Sequence, residues 1–387
     1  MIRILHVLGG LERGGAETMV MNLYRNIDHN KIQFDFIIHT LEKQAYYQEI
    51  IDMGGRVYHF PAFNGKNIFL LKKKWAQFFT EHMEYKILHS HVRSYASLYI
   101  PIAKKYGLKT IIHSHSTSNG KGASAIIKKI LQFPLRYQAD YLMACSNEAG
   151  QWLYGKRACK SKNYIFLSNA IDIKKYRFSN KISIEYRKKM NLENKFVIGH
   201  VGRFHEAKNH GFLLDIFALV CKKRSDAILL LIGDGDLRES IKDKVHSLKL
   251  DNNVILAGSR DEVPQLLQAM DIFVFPSLWE GLPVTVVEAQ AAGLPCLISD
   301  NITTDVDLSK LVMRLPINDP CVWAEAVLNT NTKRLDVTSE IRRAGFDVKN
   351  SVENLTKFYY SMFDNVKYAR NETNNLGLNV ISGRDTK

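Results

Sequence analysis

The most concentrated group of residues that could do chemistry lies between Phe275 and Pro295, in the segment FPSLWEGLPVTVVEAQAAGLP. Glu280 stands in a Gly/Pro loop directly after an apolar run, and Glu288 follows eight residues later in the helix that the loop opens. Because carboxylates accept paired O–H bonds, the loop glutamate suits sugar hydroxyls and the helical one suits a ribose diol. The backbone amides of Gly281 and Leu282 can meet an anionic or hydroxylated ligand. Two unrelated surface glutamates would not explain this pattern.

A second segment, VGRFHEAKNH, carries two cations after an apolar run. Arg203 and Lys208 lie five residues apart around a turn that opens a helix. Two cations beside a helix N-terminus suit a diphosphate, and arginine can bind phosphate through two parallel hydrogen bonds. Such residues are more often solvated surface charges, but their position at the carboxyl end of a strand favours binding.

A glycine-rich loop, GGLERGGAET, follows the first apolar run. Glycines between a strand and a helix let the backbone approach an anion at the helix N-terminus, although a tight turn would need them equally. The spacing departs from G-x-G-x-x-G, and the next acidic residues are poorly placed for a ribose. A nicotinamide-dependent enzyme is therefore disfavoured.

Histidines recur in two H-x-H pairs, LHSHVRS with His89 and His91 and TIIHSHST with His113 and His115. Such pairs could hold a metal ion, but no carboxylate or cysteine is spaced to complete a site. The D-x-D sequence at 234–236 reads as a turn that enters a helix. The sequence therefore predicts no metal site and no cofactor.

Apolar runs alternate with amphipathic helical stretches along the chain, which is typical of parallel sheets wrapped by helices. We expect an α/β protein with two Rossmann-like doubly wound domains facing a central cleft. The predicted strands are Ile2–Leu8, Phe34–His39, Arg56–Phe60, Ile87–Ser90, Lys109–His113, Tyr141–Ala144, Tyr164–Leu167, Phe196–His200, Ala227–Ile232, Asn253–Ala257, Ile272–Phe275 and Pro295–Ser299.

The predicted boundaries follow from where the alternation stops. Residues 1–175 form the N-terminal domain, a polar and basic stretch at 176–195 forms a linker, and residues 196–350 form the C-terminal domain. Residues 351–368 are expected to form a helix that crosses back to the N-terminal domain. The Asn-rich residues 369–387 are expected to be disordered.

Together these motifs resemble glycosyltransferase family 4, the retaining enzymes with the GT-B fold. Similar segments in this chain are GGLERGGAE, LSNAIDIKKYRF, VGRFHEAKNH, LLIGDGDLRESI and the E-x7-E segment, in this order from about residue 2 to 366. Ala170 replaces a glycine that is usual in the family. The likeness is specific for fold and reaction class and says little about the substrate.

The resemblance implies roles for individual residues. Gly14 and Gly15 would lie against the donor diphosphate, and Arg203 and Lys208 would neutralise its phosphates and stabilise the leaving nucleotide. The other implied donor contacts are Glu280 at the sugar hydroxyls, Glu288 at the ribose and Arg260 at the nucleobase, and the backbone amides of Gly281 and Leu282 stay candidate contacts of the donor. His115 is expected near the reacting carbon because it begins the loop after its strand. His113, and the pair His89 and His91, are the alternatives.

The resemblance also implies a mechanism. With Arg203 and Lys208 on the diphosphate, metal-independent transfer is expected. Retention would follow from front-face attack, with the donor phosphate acting as the base.

Composition bounds where such an enzyme acts. The 387 residues have a net charge of +14, and residues 1–175 hold 25 basic and 12 acidic side chains. This half should prefer an anionic partner such as a membrane surface, a nucleic acid or a phosphorylated substrate. The apolar runs are too short to cross a bilayer, which takes ~20 residues, and the N-terminus does not resemble a signal peptide. The five cysteines lack metal-ligand spacing and indicate a reducing cytoplasm.

Two basic amphipathic helices are predicted in this half, at 67–83 and 122–137. Ile68, Leu71, Trp75 and Phe78 share a face beside lysines 72–74. The second stretch places four apolar residues beside basic ones; these are Ile126, Ile127, Ile130 and Leu131 with Lys128, Lys129 and Arg136. Either helix could pack on its domain or lie on anionic lipid. The charge asymmetry favours peripheral contact with a membrane.

The leading hypothesis is a cytoplasmic transferase at the inner face of the plasma membrane. It would move a hexose or N-acetylhexosamine from a nucleotide sugar, with UDP the expected nucleotide, to a lipid-linked or other glycan acceptor in capsular or exopolysaccharide synthesis. The alternatives are a UDP-sugar epimerase of the same fold, a basic nucleic-acid-binding protein and an inactive scaffold. E-x7-E argues against the epimerase, and no known nucleic-acid module is present.

Overall fold

The computed structural model describes residues 1–12, 14–42, 44–116 and 123–378 and divides the chain into two compact units. The first unit consists of Met1–Ser168 together with the chain from Lys349 onward, and the second is Asn169–Val348. Each contains a parallel sheet with helices between its strands. The prediction of two Rossmann-like α/β domains is confirmed.

The sheet of the first unit has the order β3-β2-β1-β4-β5-β6-β7, with every neighbouring pair parallel. Chain order reverses between β1 and β4, which is the position where ligands bind in open α/β sheets. Its strands are β1 Ile2–Val7, β2 Ile32–Ile38, β3 Val57–His59, β4 Ile87–Ser90, β5 Lys109–Ser114, β6 Tyr141–Ala144 and β7 Tyr164–Phe166.

Helices cover this sheet because their apolar sides are buried on it. Trp75, Phe79 and Tyr99 are fully buried, and the rings of Trp75 and Tyr99 stack with centroids 4.3 Å apart. The helices are α1 Gly15–Asn26, α2 Tyr47–Asp52, α3 Ile68–Glu81, α4 Ile100–Lys105, α5 Ala123–Gln132, α6 Leu135–Gln138 and α7 Asn147–Tyr154, with 3₁₀ turns at Ala96–Leu98 and Ala158–Lys160.

The sheet of the second unit has the order β10-β9-β8-β11-β12-β13 and is parallel in every pairing. Chain order reverses between β8 and β11. The last strand was not expected from the sequence, because it is a four-residue edge strand whose residues are half-buried or exposed. The strands are β8 Phe196–Val201, β9 Ala227–Ile232, β10 Val254–Gly258, β11 Ile272–Phe275, β12 Cys296–Ser299 and β13 Val312–Leu315.

The stretch expected to be a linker, 176–195, contains helix instead and belongs to the second unit. Its two arginines are paired within that unit: Arg187 contacts Asp271 at 2.6 Å and Arg177 contacts Asp336 at 2.8 Å. The helices of the second unit are α8 Ile173–Tyr176, α9 Asn180–Lys189, α10 His210–Lys223, α11 Arg238–Ser247, α12 Val263–Ala269, α13 Val284–Ala291, α14 Pro320–Asn329 and α15 Thr338–Arg343, with 3₁₀ turns at Glu206–Lys208 and Thr304–Val306.

The last helix, α16, spans Val348–Leu378 and belongs to the first unit from Lys349 onward. Its Tyr359 is fully buried there and hydrogen-bonds to the ring of His89. The helix includes residues 369–378, which the polar composition had marked as disordered. Residues 379–387 of that expected tail lie outside the described residues.

Candidate functional site

Three loops of the second unit meet at the carboxyl ends of β8, β9 and β11. The Gly202 N–H donates to the Ile232 carbonyl at 2.9 Å, and the Leu278 N–H donates to the Ala207 carbonyl at 2.8 Å. Gly233 has a φ of +141°, and a Cβ there would lie 2.0 Å from the Gly202 carbonyl oxygen. Only glycine allows this approach. The backbone therefore fixes the VGRF, IGDGD and SLWEG segments against one another.

Lys208 and Glu280 meet at this edge. The Lys208 Nζ lies 2.6 Å from Glu280 Oε1, and the two side chains are only 17% and 14% exposed. The same ammonium lies 4.6 Å from the centre of the Phe275 ring. Lys208 follows β8 and Glu280 follows β11, so the pair stands where the strand order of this sheet reverses. The sequence prediction named both residues, and the structure brings them together.

Arg203 lies apart from that pair. Its guanidinium contacts Asp236 at 3.3 Å, and the two side chains are 67% and 76% exposed. Asp234, the other carboxylate of the D-x-D sequence, accepts the Gly235 N–H at 2.8 Å and pairs with Arg238. Asp234 thus contacts groups close to it in the chain, and Asp236 contacts Arg203. Because Arg203 is largely exposed and Asp236 at 3.3 Å is a weak partner, the guanidinium can turn toward an anion.

Glu288 lies on α13 and is half-buried. Tyr176, at the end of α8, donates its hydroxyl hydrogen to Glu288 Oε1 at 2.7 Å. Burial raises the pKa of Glu288 to about 7, and the hydrogen bond from Tyr176 offsets only part of that rise. Sequence reasoning missed Tyr176 because it lay in the supposed linker, where no spacing signal pointed to it.

The remaining predicted donor contacts occupy nearby positions in this unit. Gly281 and Leu282 lie in the loop between β11 and α13, and Leu282 is buried. Arg260 follows β10, is exposed, and donates from Nε to the Ala257 carbonyl at 2.8 Å. The strands β10, β9, β8 and β11 are adjacent and parallel in the sheet. The loops that follow them therefore leave the same edge. That edge can hold an anionic, hydroxylated ligand.

In the first unit, the predicted glycines lie at the start of α1. Gly14 caps the helix with extended backbone and Gly15 is its first residue. They follow β1, one of the two strands at which the order of this sheet reverses. Their contact with a diphosphate stays a prediction.

The histidines of the two H-x-H pairs form one cluster with His6, which the sequence analysis had not singled out. His113 belongs to β5, and His115, the first residue after that strand, is partly exposed. His91 Nδ1 lies 2.8 Å from His115 Nε2, and His91 Nε2 lies 3.0 Å from His6 Nδ1. His89 Nε2 lies 3.2 Å from His113 Nδ1. The sequence alone does not show that β1, β4 and β5 are neighbours in the sheet, so it could not predict this cluster.

The two basic helices differ in what they expose. On α3, Leu71, Trp75 and Phe78 are buried in the core, so the packing alternative holds for that face. On α5, three apolar side chains are exposed; they are Ile126 at 64%, Ile127 at 57% and Ile130 at 66%. Lys128 and Lys129 on the same helix are also exposed. Among the described residues, no helix combines the length and the apolar character that crossing a membrane requires.

Two family models match the chain: Glycosyltransferase Family 4 over residues 13–175 and Glycosyl transferases group 1 over residues 183–306. EpsF of Bacillus subtilis (strain 168), named as a glycosyltransferase, is 35% identical over 370 residues, which cover 92% of this chain and 96% of that protein. The chain belongs to glycosyltransferase family 4. The sequence resemblance is thereby confirmed.

Other relatives of this glycosyltransferase are more distant. The Escherichia coli UDP-Gal:alpha-D-GlcNAc-diphosphoundecaprenol alpha-1,3-galactosyltransferase is 26% identical over 302 residues, covering 73% of this chain and 77% of that protein. The capsular polysaccharide biosynthesis glycosyltransferase CapH of Staphylococcus aureus is 23% identical over 379 residues, covering 93% and 99%.

Among solved structures, HepE of Anabaena in complex with UDP and glucose has a TM-score of 0.75 at 19% identity, covering 93% of this chain and all of that one. Such a likeness concerns the fold. It confirms the expected GT-B fold class for this glycosyltransferase.

Proposed function

We propose that this glycosyltransferase moves a hexose or N-acetylhexosamine from a UDP-sugar to a lipid-linked glycan acceptor, with retention at the anomeric carbon and without a metal ion on the diphosphate. The proposed setting is capsular or exopolysaccharide synthesis at the inner face of the plasma membrane. The observation that carries the donor half of the proposal is the part-buried Lys208–Glu280 pair, held where the strand order reverses in the second unit.

The pair supplies both kinds of contact that a sugar diphosphate needs. The ammonium of Lys208 suits a phosphate oxygen, and the carboxylate of Glu280 suits sugar hydroxyls. Each neutralises the other until the donor arrives, which avoids an uncompensated charge in a site that is mostly shielded from water. Arg203, exposed at the rim, adds a second cation that can bind phosphate.

Glu288 is proposed to hold the ribose. Tyr176 fixes Oε1, and the second carboxyl oxygen is available to a hydroxyl. Arg260 is proposed to lie beside the nucleobase. These contacts do not change during reaction, so they set donor affinity, whereas Lys208 and Arg203 meet charge that grows in the transition state.

In the proposed reaction, the acceptor oxygen attacks the anomeric carbon on the face from which the diphosphate departs. The bond from that carbon to the diphosphate oxygen breaks, and the acceptor proton passes to the departing phosphate. Lys208 and Arg203 stabilise the negative charge that remains on UDP. Gly14 and Gly15 stay the predicted diphosphate contacts, and His115 stays the predicted histidine near the reacting carbon.

The acceptor half of the proposal is supported by the first unit. The Escherichia coli relative is named for a diphosphoundecaprenol acceptor, and CapH is named for capsular polysaccharide biosynthesis. Here α5 exposes three isoleucines beside two lysines, a pattern that suits the surface of an anionic membrane. Its Ile127 and Leu131 also line a pocket with Phe63 and Tyr95, which offers an apolar wall to a lipid chain.

The first experiment is thermal stabilisation by UDP-, GDP-, ADP- and dTDP-linked sugars, each with EDTA and with magnesium. We expect one UDP-sugar to stabilise the protein equally in both conditions. Transfer from that donor to a polyprenyl-diphosphate glycan follows, with the anomeric configuration of the product read by NMR. An inverted linkage would contradict the mechanism, and dependence on magnesium would contradict the role given to the two cations.

The matched control is a second Lys–Glu pair that lies on the surface. Lys242 and Glu239 approach within 2.7 Å but are 46% and 76% exposed. Alanine at Lys242 should leave donor binding unchanged. An equal loss in Lys242→Ala and Lys208→Ala would contradict the proposed site, and epimerised UDP-sugar without any acceptor would favour an epimerase.

A further inference from the structure

Five histidines lie together in the first unit because of the strand order. His6 on β1 is directly opposite His89 on β4, and β5, which carries His113, is the next strand. Side chains two residues apart in an extended chain share a face. His91 and His115 therefore join the same group from the loops that follow β4 and β5.

The rings are arranged in two hydrogen-bonded rows. One row is His6–His91–His115, with nitrogen–nitrogen distances of 3.0 and 2.8 Å. The other begins at the Tyr359 hydroxyl, which lies 2.7 Å from His89 Nδ1, and continues to His113 at 3.2 Å. The first row ends on two buried nitrogens, Nε2 of His6 and Nδ1 of His115, for which the described residues supply no hydrogen-bond partner.

Burial lowers the pKa of all five rings below the usual value of imidazole.

We propose that His91, His113 and His115 form a binding site for one divalent transition-metal ion of the Zn²⁺ class. One ring nitrogen from each lies within 4.8 Å of the others. Zinc–nitrogen bonds of about 2.0–2.1 Å in tetrahedral geometry place such nitrogens roughly 3.3–3.4 Å apart. Small ring movements achieve this: the His91–His115 contact opens and His113 moves in. The fourth position stays open to water or another ligand.

The surrounding groups are those that such a site requires. Metal-bound histidines are oriented through their second nitrogen. In this cluster His6 holds Nε2 of His91, and His89 holds Nδ1 of His113. His89 is itself held by Tyr359. The sequence predicted no metal site because each H-x-H pair was considered alone. In the fold, the third ligand comes from the neighbouring strand.

A second triad, His6, His89 and His91, is equally close-set. It is the weaker site because both nitrogens of His89 are already engaged, by Tyr359 and by His113. It also lies wholly inside the unit, whereas His115 is partly exposed and offers a path for the ion.

The test uses the full-length chain without a histidine tag, stripped with EDTA and titrated with Co²⁺, whose tetrahedral complexes absorb visible light strongly. We expect one Co²⁺ per chain, displaced by one Zn²⁺. His113→Gln and His115→Gln should each weaken binding by more than about 100-fold, and His6→Phe, which removes an orienting contact, by about 10–100-fold.

The control is His246→Gln, since that ring is 85% exposed and lies 3.3 Å from Asp251 at the surface. Circular dichroism checks that each variant is folded; if buried His113→Gln does not fold, the partly exposed His115→Gln decides. The proposal is overturned if the folded wild type shows no saturable Co²⁺ band, if His115→Gln retains it, or if the control loses it. Because the readout is absorbance, failure of the proposed transfer reaction would not affect the result.

Discussion

The two halves of this glycosyltransferase place different groups at the carboxyl ends of their strands. Residues 1–175 carry a net charge of +13, yet the buried groups at those strand ends in the first unit are histidine rings, and its buried ion pair, Arg3 with Asp35, lies near the start of β1. Residues 176–387 are nearly neutral, yet the second unit keeps an ion pair, Lys208 with Glu280, in a mostly buried position. Net charge therefore describes which surface a domain presents. It does not describe the chemistry that its strand ends can perform.

The largest effect is expected from Lys208→Ala, which removes the buried cation of the second unit. Transfer should fall by about 10²–10³-fold because the charge on the departing nucleotide loses its partner. Steady-state kinetics measure this, with Lys242→Ala as the control. If the two variants lose activity equally, the contrast between buried and exposed charge has no functional meaning.

The second prediction concerns Glu288, whose pKa of about 7 lies above the ordinary 4.5. The unfolded chain releases this proton near pH 4.5, whereas the folded chain keeps it to about pH 7. Stability is therefore lost as pH rises across this window, by on the order of 3 kcal/mol for this group. Glu288→Gln should not show this loss, so at pH 8 it should be more stable than the wild type while binding UDP-sugar about 10–100-fold more weakly.

Urea unfolding at pH 5 and pH 8 measures the free energy of unfolding, and calorimetric titration with the donor measures the affinity for UDP-sugar. Glu239→Gln, a change at a 76% exposed carboxylate, is the control and should alter neither. If the difference in unfolding free energy between Glu288→Gln and the wild type did not increase from pH 5 to pH 8, burial would not be what raises the pKa of Glu288.

The third prediction tests the histidine cluster of the first unit. Tyr359→Phe removes the hydroxyl that bonds His89 Nδ1 and leaves that buried nitrogen without a partner. Unfolding free energy should fall by about 1–2 kcal/mol, while donor affinity stays unchanged. The neighbouring, partly exposed Tyr360→Phe is the control for urea unfolding. If Tyr359→Phe also lost donor affinity, the histidine cluster of the first unit would not be separate in function from the Lys208–Glu280 pair.

The smallest effect is expected at the surface of α5. Replacing Ile127 and Ile130 with serine should weaken binding to vesicles of anionic lipid about 10-fold, because apolar area that would be buried in lipid is lost. Sedimentation with the vesicles measures this. Ile184→Ser on α9 of the second unit, 60% exposed, should have no effect. Equal losses would show that α5 is not a membrane-binding surface.

Most of the fold could be predicted from the sequence because buried parallel strands are continuous apolar runs. Ala227–Ile232 and Ile272–Phe275 begin and end where the pattern indicated. The edge strand β13 could not, since its residues are only half-buried. The helices at 176–195 were missed for a related reason: they are stabilised by ion pairs such as Arg187–Asp271, and such pairs leave no apolar periodicity.

The candidate site was predictable where one segment carries the signal. Glu280 and Glu288 stand eight residues apart in one motif, whereas Tyr176 reaches Glu288 from 112 residues away. The histidine cluster shows the same limit, because its rings come from three strands whose adjacency only the fold reveals. Likewise α3 and α5 have the same pattern of basic and apolar residues. Only the packing in the fold shows that this apolar face is buried on α3 and exposed on α5.

Tyr359 also has a consequence for the order of events during synthesis. The first unit is discontinuous: its sheet is finished by Phe166, but α16, which covers His89, is translated only after the whole second unit. At about 5–20 residues per second, the interval is roughly 10–40 s. During that time the second unit, which is continuous, can reach its native state first. The nascent N-terminal sheet meanwhile lacks the helix that covers its histidine-bearing face, so we expect that face to be open to a chaperone at the ribosome.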